Sequence, residues 1–153
     1  MWIQEKIRED LENIEPRWLD KLSRMDALPL EKAVRIAAYL WEGCFQSSND
    51  AWIILCGGLL YKIPPEWLET HIRQVLDRIR IDWNDSFEFY NLCAAVCHMP
   101  DVLKTVLAYA EKKITAEHAQ EWIPDMREMA GNQERRKLVL EHFEAMDKLE
   151  WKL

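Results

Sequence analysis

The chain has few glycines and lacks the patterns that mark a strand, a phosphate-binding loop or a common catalytic centre. Only 4 of its 153 residues are glycine, and no polar–apolar alternation typical of a strand occurs. No His-Glu-x-x-His, Gly-x-Ser-x-Gly or phosphate-loop motif is present. These absences exclude a strand-rich fold and give no positive sign of an enzyme.

The chain also lacks a basic face, a signal peptide and a long apolar segment. Acidic residues number 27 against 20 basic ones, for a net charge of −7, the opposite of the balance that nucleic-acid binders carry. Acids and bases mix from Glu5 onwards, unlike a signal peptide, and the longest uncharged stretch, Ala51–Tyr61, is too short to span a bilayer as a helix. We therefore expect a cytoplasmic protein without nucleic-acid or membrane partners.

Apolar stripes at helical spacing, separated by prolines and capping residues, fill most of the chain. Ile3, Ile7 and Leu11 form one such stripe, and prolines mark several helix starts. The pattern predicts one all-α domain over residues 1–153, a compact array of about seven to nine helices stacked as hairpins, with HEAT-like stacking as one version.

The second half of the chain gives more specific helix predictions. We expect one helix from about Ser86 to His98, and separate shorter pieces beginning at Thr115 and Pro124. Gly131 and Asn132 should precede a last amphipathic helix. The apolar face of that helix is predicted to contain Leu138, Phe143, Met146 and Leu149.

Two segments are similar when the chain is shifted by about 37 residues. LCGGLLYKIPPEWL, from Leu55, lies over LCAAVCHMPDVL, from Leu92, and each reads as helix, proline turn and helix. The sequence does not decide between a true repeat and a chance match. Small residues after each cysteine predict a close approach of two inner helices, and a kink at Gly57 and Gly58 is the alternative.

The four cysteines are the only candidate soft metal ligands besides histidine. Cys93 and Cys97 lie one helical turn apart with His98 adjacent, a set that could hold zinc. All four cysteines lie among apolar residues, where a reduced thiol packs as a small hydrophobe. We predict core packing, with no metal and no cofactor; a Cys–His catalytic pair is an alternative that the sequence leaves open.

Tryptophan is unusually frequent, with eight residues in the chain. Most are predicted to lie in the core. Trp83 instead lies in a turn between aspartates, and Trp122 follows Glu121. An aromatic side chain ringed by acids is typical of a binding hot spot for a cationic surface, although a tryptophan that plugs a helix junction fits the same pattern.

Most of the negative excess lies in two stretches without lysine or arginine, residues 81–103 and 114–126. Stacked hairpins would align their corners along one edge and give an acidic strip there. Simple helix capping by the aspartates is the alternative. The candidate binding residues are Asp50, Asp82, Trp83, Asp85, Glu88, Glu121, Trp122 and Asp125.

A small, acidic chain of helical hairpins with acid-and-aromatic turns resembles the all-helical immunity proteins of bacterial toxin–immunity systems, such as contact-dependent growth inhibition and other polymorphic toxin systems. The resemblance covers the overall character of the chain and includes no diagnostic motif. It implies a protein without catalytic activity. Its partner would be a cognate toxin domain, often a basic nuclease, which its carboxylates would neutralise.

Two other classes of function fit the sequence. A helical-repeat adaptor or secretion chaperone that binds a partner helix predicts an exposed apolar groove. A helical-bundle enzyme predicts a deep pocket in which at least two titratable groups converge.

Overall fold

A computed structural model describes residues 2–47 and 49–144, without the side chains of Trp2, Leu140, His142, Phe143 and Glu144. This part of the chain forms nine α-helices and one 3₁₀ helix (Leu22–Ala27), with no strand. The all-α array predicted from the sequence is confirmed. The α-helices are α1 (Trp2–Ile14), α2 (Trp18–Lys21), α3 (Leu30–Phe45), α4 (Asp50–Tyr61), α5 (Pro65–Arg78), α6 (Ser86–Ala94), α7 (Pro100–Glu111), α8 (Ala116–Gly131) and α9 (Gln133–Glu144).

Helix starts follow a simple alternation from α4 to α8. The side chains of Asn49, Asp85 and Thr115 accept hydrogen bonds from backbone N–H groups in the first turns of α4, α6 and α8. Pro65 and Pro100 instead occupy the first turns of α5 and α7, where a missing N–H costs nothing. The segments α4–α5 and α6–α7 are therefore built on one plan.

α3 is the central helix of the array. It packs against α1, α4, α5 and α6. A chain of contacts then runs from α5 through α7 and α8 to α9, which packs back on α4. The array closes on itself here, whereas an open solenoid of the HEAT kind leaves its first and last repeats apart.

The apolar side chains form one continuous core that includes Trp18, Trp41 and Trp67, as predicted. The indole N–H of Trp41, on α3, donates a hydrogen bond to the carbonyl oxygen of Leu92 at 3.0 Å. This oxygen is free for Trp41 because the chain after Ala94 tightens into i→i+3 turns. The helix expected to reach His98 therefore ends at Ala94.

Three glycines of the array are buried, and one of them allows a close approach of two helices. Gly57 and Gly58 are buried within α4, which runs unbroken to Tyr61. α3 and α4 approach closely at Gly43 of α3, because a Cβ atom there would lie 2.3 Å from the Sγ atom of Cys56 on α4. The close approach of α3 and α4 thus involves Gly43, which was not among the small residues predicted to make it.

Two predictions about the last third of the chain are wrong. Residues 116–131 form one helix rather than two pieces, and Pro124 lies inside it on the exposed side, where water can bond the carbonyl that lacks an N–H partner. Leu138 of α9 is 68% exposed and does not face the core. The side chain of Phe143 and the whole of Met146 and Leu149 lie outside the described residues.

Candidate functional site: an acidic corner between helix pairs

Three helix–helix junctions contact one another along one edge of the array. The side-chain amide of Gln46, at the end of α3, donates a hydrogen bond to the carbonyl oxygen of Arg80. Asn84 Oδ1 accepts one from the N–H of Thr115 at 3.0 Å. The junctions before α4, α6 and α8 are therefore neighbours. Asp50 lies exposed in the first turn of α4, and no contact found among the described residues joins it to Asp82 or Asp85.

We define the acidic corner as Asp82, Asp85 and Glu88. One carboxylate oxygen from each residue lies within 4.8 Å of the others. Asp85 caps α6 by accepting a hydrogen bond from the N–H of Glu88 at 3.0 Å. Glu88 in turn accepts one from the N–H of Asp82 at 3.2 Å, and Asp82 accepts one from the N–H of Asn84 at 3.0 Å. The capping alternative holds for Asp85, whereas Asp82 accepts its bond within the turn before α6. Together these bonds fix three carboxylates in one place.

The charges of the acidic corner are not balanced locally. No lysine or arginine in the described part of the chain forms an ion pair with Asp82, Asp85 or Glu88. Partial burial raises the pKa of Glu88, and the charges of Asp85 and Asp82 raise it further, against the hydrogen bond from the N–H of Asp82. The corner therefore holds like charges at a free-energy cost that an incoming cation would relieve.

Trp83 lies beside the acidic corner but is half-buried. Its ring packs on that of Tyr109 with centroids 5.6 Å apart, and the Tyr109 hydroxyl donates a hydrogen bond to Asp77 at 2.6 Å. Partial burial and this bond raise the pKa of Tyr109 to about 12. The ammonium of Lys113 lies 5.4 Å from the centre of the same ring. Trp83 therefore packs at the junction between α5 and α7, which is the alternative of a tryptophan that fills a helix junction.

Trp122 is held between two rings at the start of α8. It stacks on His118 with centroids 4.1 Å apart and on Phe89 with centroids 5.4 Å apart. The Nδ1 atom of His118 lies 3.1 Å from Asn84 Oδ1, so Asn84 positions this stack relative to the acidic corner. Neither His118 nor Asn84 was a candidate from the sequence, which carries no signal for a contact 34 positions apart.

The predicted binding residues Glu121, Trp122 and Asp125 lie together on α8, and none of the other candidates lines the groove beside them. This groove has a volume of about 210 Å³ and lies between α6 and α8. Asp125 also forms an ion pair with Arg135 of α9 at 3.5 Å. The base-free stretch 114–126 is thus partly neutralised by a helix outside it. The groove is lined by Ser86, Phe89, Tyr90, Glu121, Trp122, Asp125 and Met126.

The described residues give the cysteines a structural role. All four are buried free thiols, and burial raises the pKa of Cys97 to about 11 and that of Cys93 further.

The acidic corner is the one set of three or more potential metal ligands found close together in residues 2–47 and 49–144. Carboxylate oxygens suit a hard cation such as Ca²⁺, but one oxygen of each residue is already used by the backbone.

Comparison with known proteins gives no relative for this chain. No family model, no curated protein and no solved structure matches it. Separately, none of the helices in the described part has the length and apolar content that crossing a membrane requires.

Proposed function

We propose that the chain is an immunity protein, a non-catalytic protein of the bacterial cytoplasm that binds and neutralises a cognate basic toxin domain. The acidic corner is the observation that supports this proposal. Asp82, Asp85 and Glu88 place three carboxylates within 4.8 Å of one another, with no ion-pair partner among the described residues.

Binding to a basic surface follows from how these carboxylates are held. Their hydrogen bonds to backbone N–H groups fix the side chains in advance, so little rotamer entropy is lost when a partner binds. Burial raises the pKa of Glu88, and the charges of Asp85 and Asp82 raise it further; an arginine or lysine placed among them offsets that mutual repulsion. Trp122, in the adjacent groove, supplies a rigid aromatic surface of the kind found at binding hot spots.

A nuclease-type toxin fits this chemistry. The surface that binds a phosphate backbone carries lysine and arginine, and a fixed group of carboxylates competes for the same cationic side chains. In this mechanism Asp82, Asp85 and Glu88 neutralise the basic surface, and the groove residues Glu121 and Trp122 cover the area beside it.

The test is co-expression. The C-terminal domain encoded immediately upstream of this chain's gene is expressed alone and together with the chain. Growth arrest by that domain alone, and recovery with the chain, would support the proposal. Persistent arrest in cells that contain soluble chain would contradict it.

One further observation favours a second candidate, an adaptor or secretion chaperone. A groove of about 460 Å³ lies between α7 and α8, with Leu103 and Leu107 among its lining residues and Lys104 and Arg127 beside them. An amphipathic helix can lay its apolar face in such a groove. Ala108→Arg, at an exposed position of the lining, should block a helical partner and leave binding at the acidic corner unchanged.

A further inference from the structure

A cavity lined by charged, polar and aromatic side chains lies between α1, α3 and α4, away from the groove at α6 and α8. Its volume is about 420 Å³, within the range of about 300–1,000 Å³ typical of small-ligand sites. Two carboxylates and two aromatic side chains form much of its lining. The lining residues are Asp10, Tyr39, Glu42, Gly43, Gln46, Ser47 and Trp52.

Asp10 is already neutralised within the protein. Its Oδ2 atom accepts a hydrogen bond from the Tyr39 hydroxyl at 2.6 Å, and its Oδ1 atom pairs with the ammonium of Lys6 at 2.9 Å. Burial and the Asp10 carboxylate raise the pKa of Tyr39, so this hydroxyl stays protonated and donates. These bonds fix one wall of the cavity and leave Asp10 little capacity for a further cation.

Glu42 is the carboxylate whose charge remains unbalanced. Its Oε1 atom accepts a hydrogen bond from the N–H of Arg80 at 2.8 Å, which holds the side chain without cancelling its charge. Over the described ranges 2–47 and 49–144, Glu42 forms no ion pair. The cavity therefore combines one net negative charge with aromatic walls.

Gly43 explains how Trp52 comes to line the cavity. A Cβ atom at Gly43 would lie 2.9 Å from the indole nitrogen of Trp52, so the missing side chain lets the indole approach α3. Tryptophan is the aromatic residue that attracts cations most strongly. A carboxylate next to tryptophan and tyrosine side chains is the combination that favours a cation with an apolar stem.

We propose that this cavity binds a guanidinium or alkylammonium group, with Glu42 balancing its charge and Trp52 and Tyr39 contacting its stem. The group can belong to an arginine or lysine of a protein partner, or to a small free amine. The proposal stands on the cavity alone and does not depend on the acidic corner.

The test is a titration of the ¹⁵N-labelled full chain, followed by NMR. The probes are N-acetyl-arginine methylamide, its neutral analogue N-acetyl-citrulline methylamide, and agmatine as a free amine. We expect the arginine probe to shift the Trp52 indole N–H and the Gly43 amide, and the citrulline probe to bind at least about fivefold more weakly. Tighter binding of agmatine would identify a free amine as the ligand, and tighter binding of the arginine probe a protein side chain.

Variants separate this site from the acidic corner. Glu42→Gln keeps an acceptor for the Arg80 N–H and should weaken the arginine probe at least about fivefold, whereas the Asp82→Asn, Asp85→Asn, Glu88→Gln triple variant should bind it unchanged. Equal binding of arginine and citrulline probes, or shifts that map to the acidic corner, would overturn the proposal. The citrulline comparison uses the unmodified chain, so it decides the matter even if Glu42→Gln does not fold.

Discussion

Asn84 accepts a hydrogen bond from the backbone N–H of Thr115 at 3.0 Å, across 31 positions of the chain. The same oxygen lies 3.1 Å from His118 Nδ1. One side chain therefore joins the acidic corner to the start of α8 and to the ring stack on Trp122. This link connects the acidic corner with α8, the helix that carries Glu121, Trp122 and Asp125.

Removing the Asn84 side chain should lower both the stability of the protein and its affinity for a partner. Asn84→Ala leaves the Thr115 N–H without its acceptor, and we expect the free energy of unfolding to fall by about 1 kcal/mol. Urea unfolding measures the change. Asn91→Ala is the matched control, because the bond found for the Asn91 side chain in the described part of the chain goes to the carbonyl of Phe87 in its own helix. A loss no larger than that of Asn91→Ala would show that Asn84 does not tie the two helices.

Gly43→Ala should destabilise the protein through overpacking. The added methyl group would meet Cys56 Sγ at 2.3 Å and Cys56 Cβ at 2.8 Å, and forcing such a group into a packed site costs about 1–3 kcal/mol. Cys56→Ala in the same chain should recover part of that loss, because it removes the nearest atom. Thermal or urea unfolding gives the values.

Gly131→Ala is the control for this substitution. A Cβ atom there meets nothing within 4 Å, and Gly131 has no positive φ angle. Alanine should therefore leave stability unchanged or raise it by up to about 1 kcal/mol. Similar losses for both glycines would contradict the close approach of α3 and α4.

Glu88 and Glu15 should affect stability with opposite dependence on pH. The pKa of Glu88 is raised in the folded protein, chiefly by burial. Its favourable contribution to the free energy of unfolding is therefore present below the ordinary pKa of glutamate, and it is lost as pH rises through the pKa of Glu88 in the folded protein. Glu88→Gln should therefore be slightly more stable than the wild type at pH 7. That advantage should disappear at acid pH.

Glu15 provides the contrast. Hydrogen bonds from Lys21 at 2.5 Å and Lys32 at 2.9 Å lower its pKa. Its contribution to the free energy of unfolding is present above the ordinary pKa of glutamate and is lost as pH falls through the pKa of Glu15 in the folded protein. Glu15→Gln should therefore be less stable than the wild type at pH 7 and equally stable at acid pH. Melting temperatures from pH 3 to 8 check both variants, and profiles of the same sign would refute the assignment.

The sequence predicted the helical class and much of the order of elements because local signals carry them. Capping side chains such as Asp85 and prolines such as Pro100 act within one turn of helix, so their effect can be read from neighbouring residues. The early end of α6 could not be read from neighbouring residues, and the hydrogen bond from the Trp41 indole to the Leu92 carbonyl that accompanies it spans 51 positions of the chain.

The candidate site also has one part that neighbouring residues predict and another that depends on contacts between distant parts of the chain. The acidic corner is local, because Asp82 and Glu88 are six positions apart. The neutralisation of Asp125 by Arg135 depends on how α9 packs, and the cavity at Glu42 needs three helices to form. Counting the charged residues in a stretch of sequence could show neither the Asp125–Arg135 ion pair nor the cavity at Glu42.

A matched pair of charge variants tests whether the acidic corner recognises a basic protein. The Asp82→Asn, Asp85→Asn, Glu88→Gln variant keeps side-chain acceptors for the backbone N–H groups of the corner and removes three charges. The control, Glu31→Gln, Glu69→Gln, Glu128→Gln, removes three exposed charges elsewhere.

Both variants and the wild type are titrated calorimetrically with the C-terminal domain encoded immediately upstream, at two salt concentrations. The account predicts that the corner variant loses at least about tenfold in affinity and most of the salt dependence, while the control stays within about twofold of the wild type. Equal affinities for the corner variant and the wild type would contradict it.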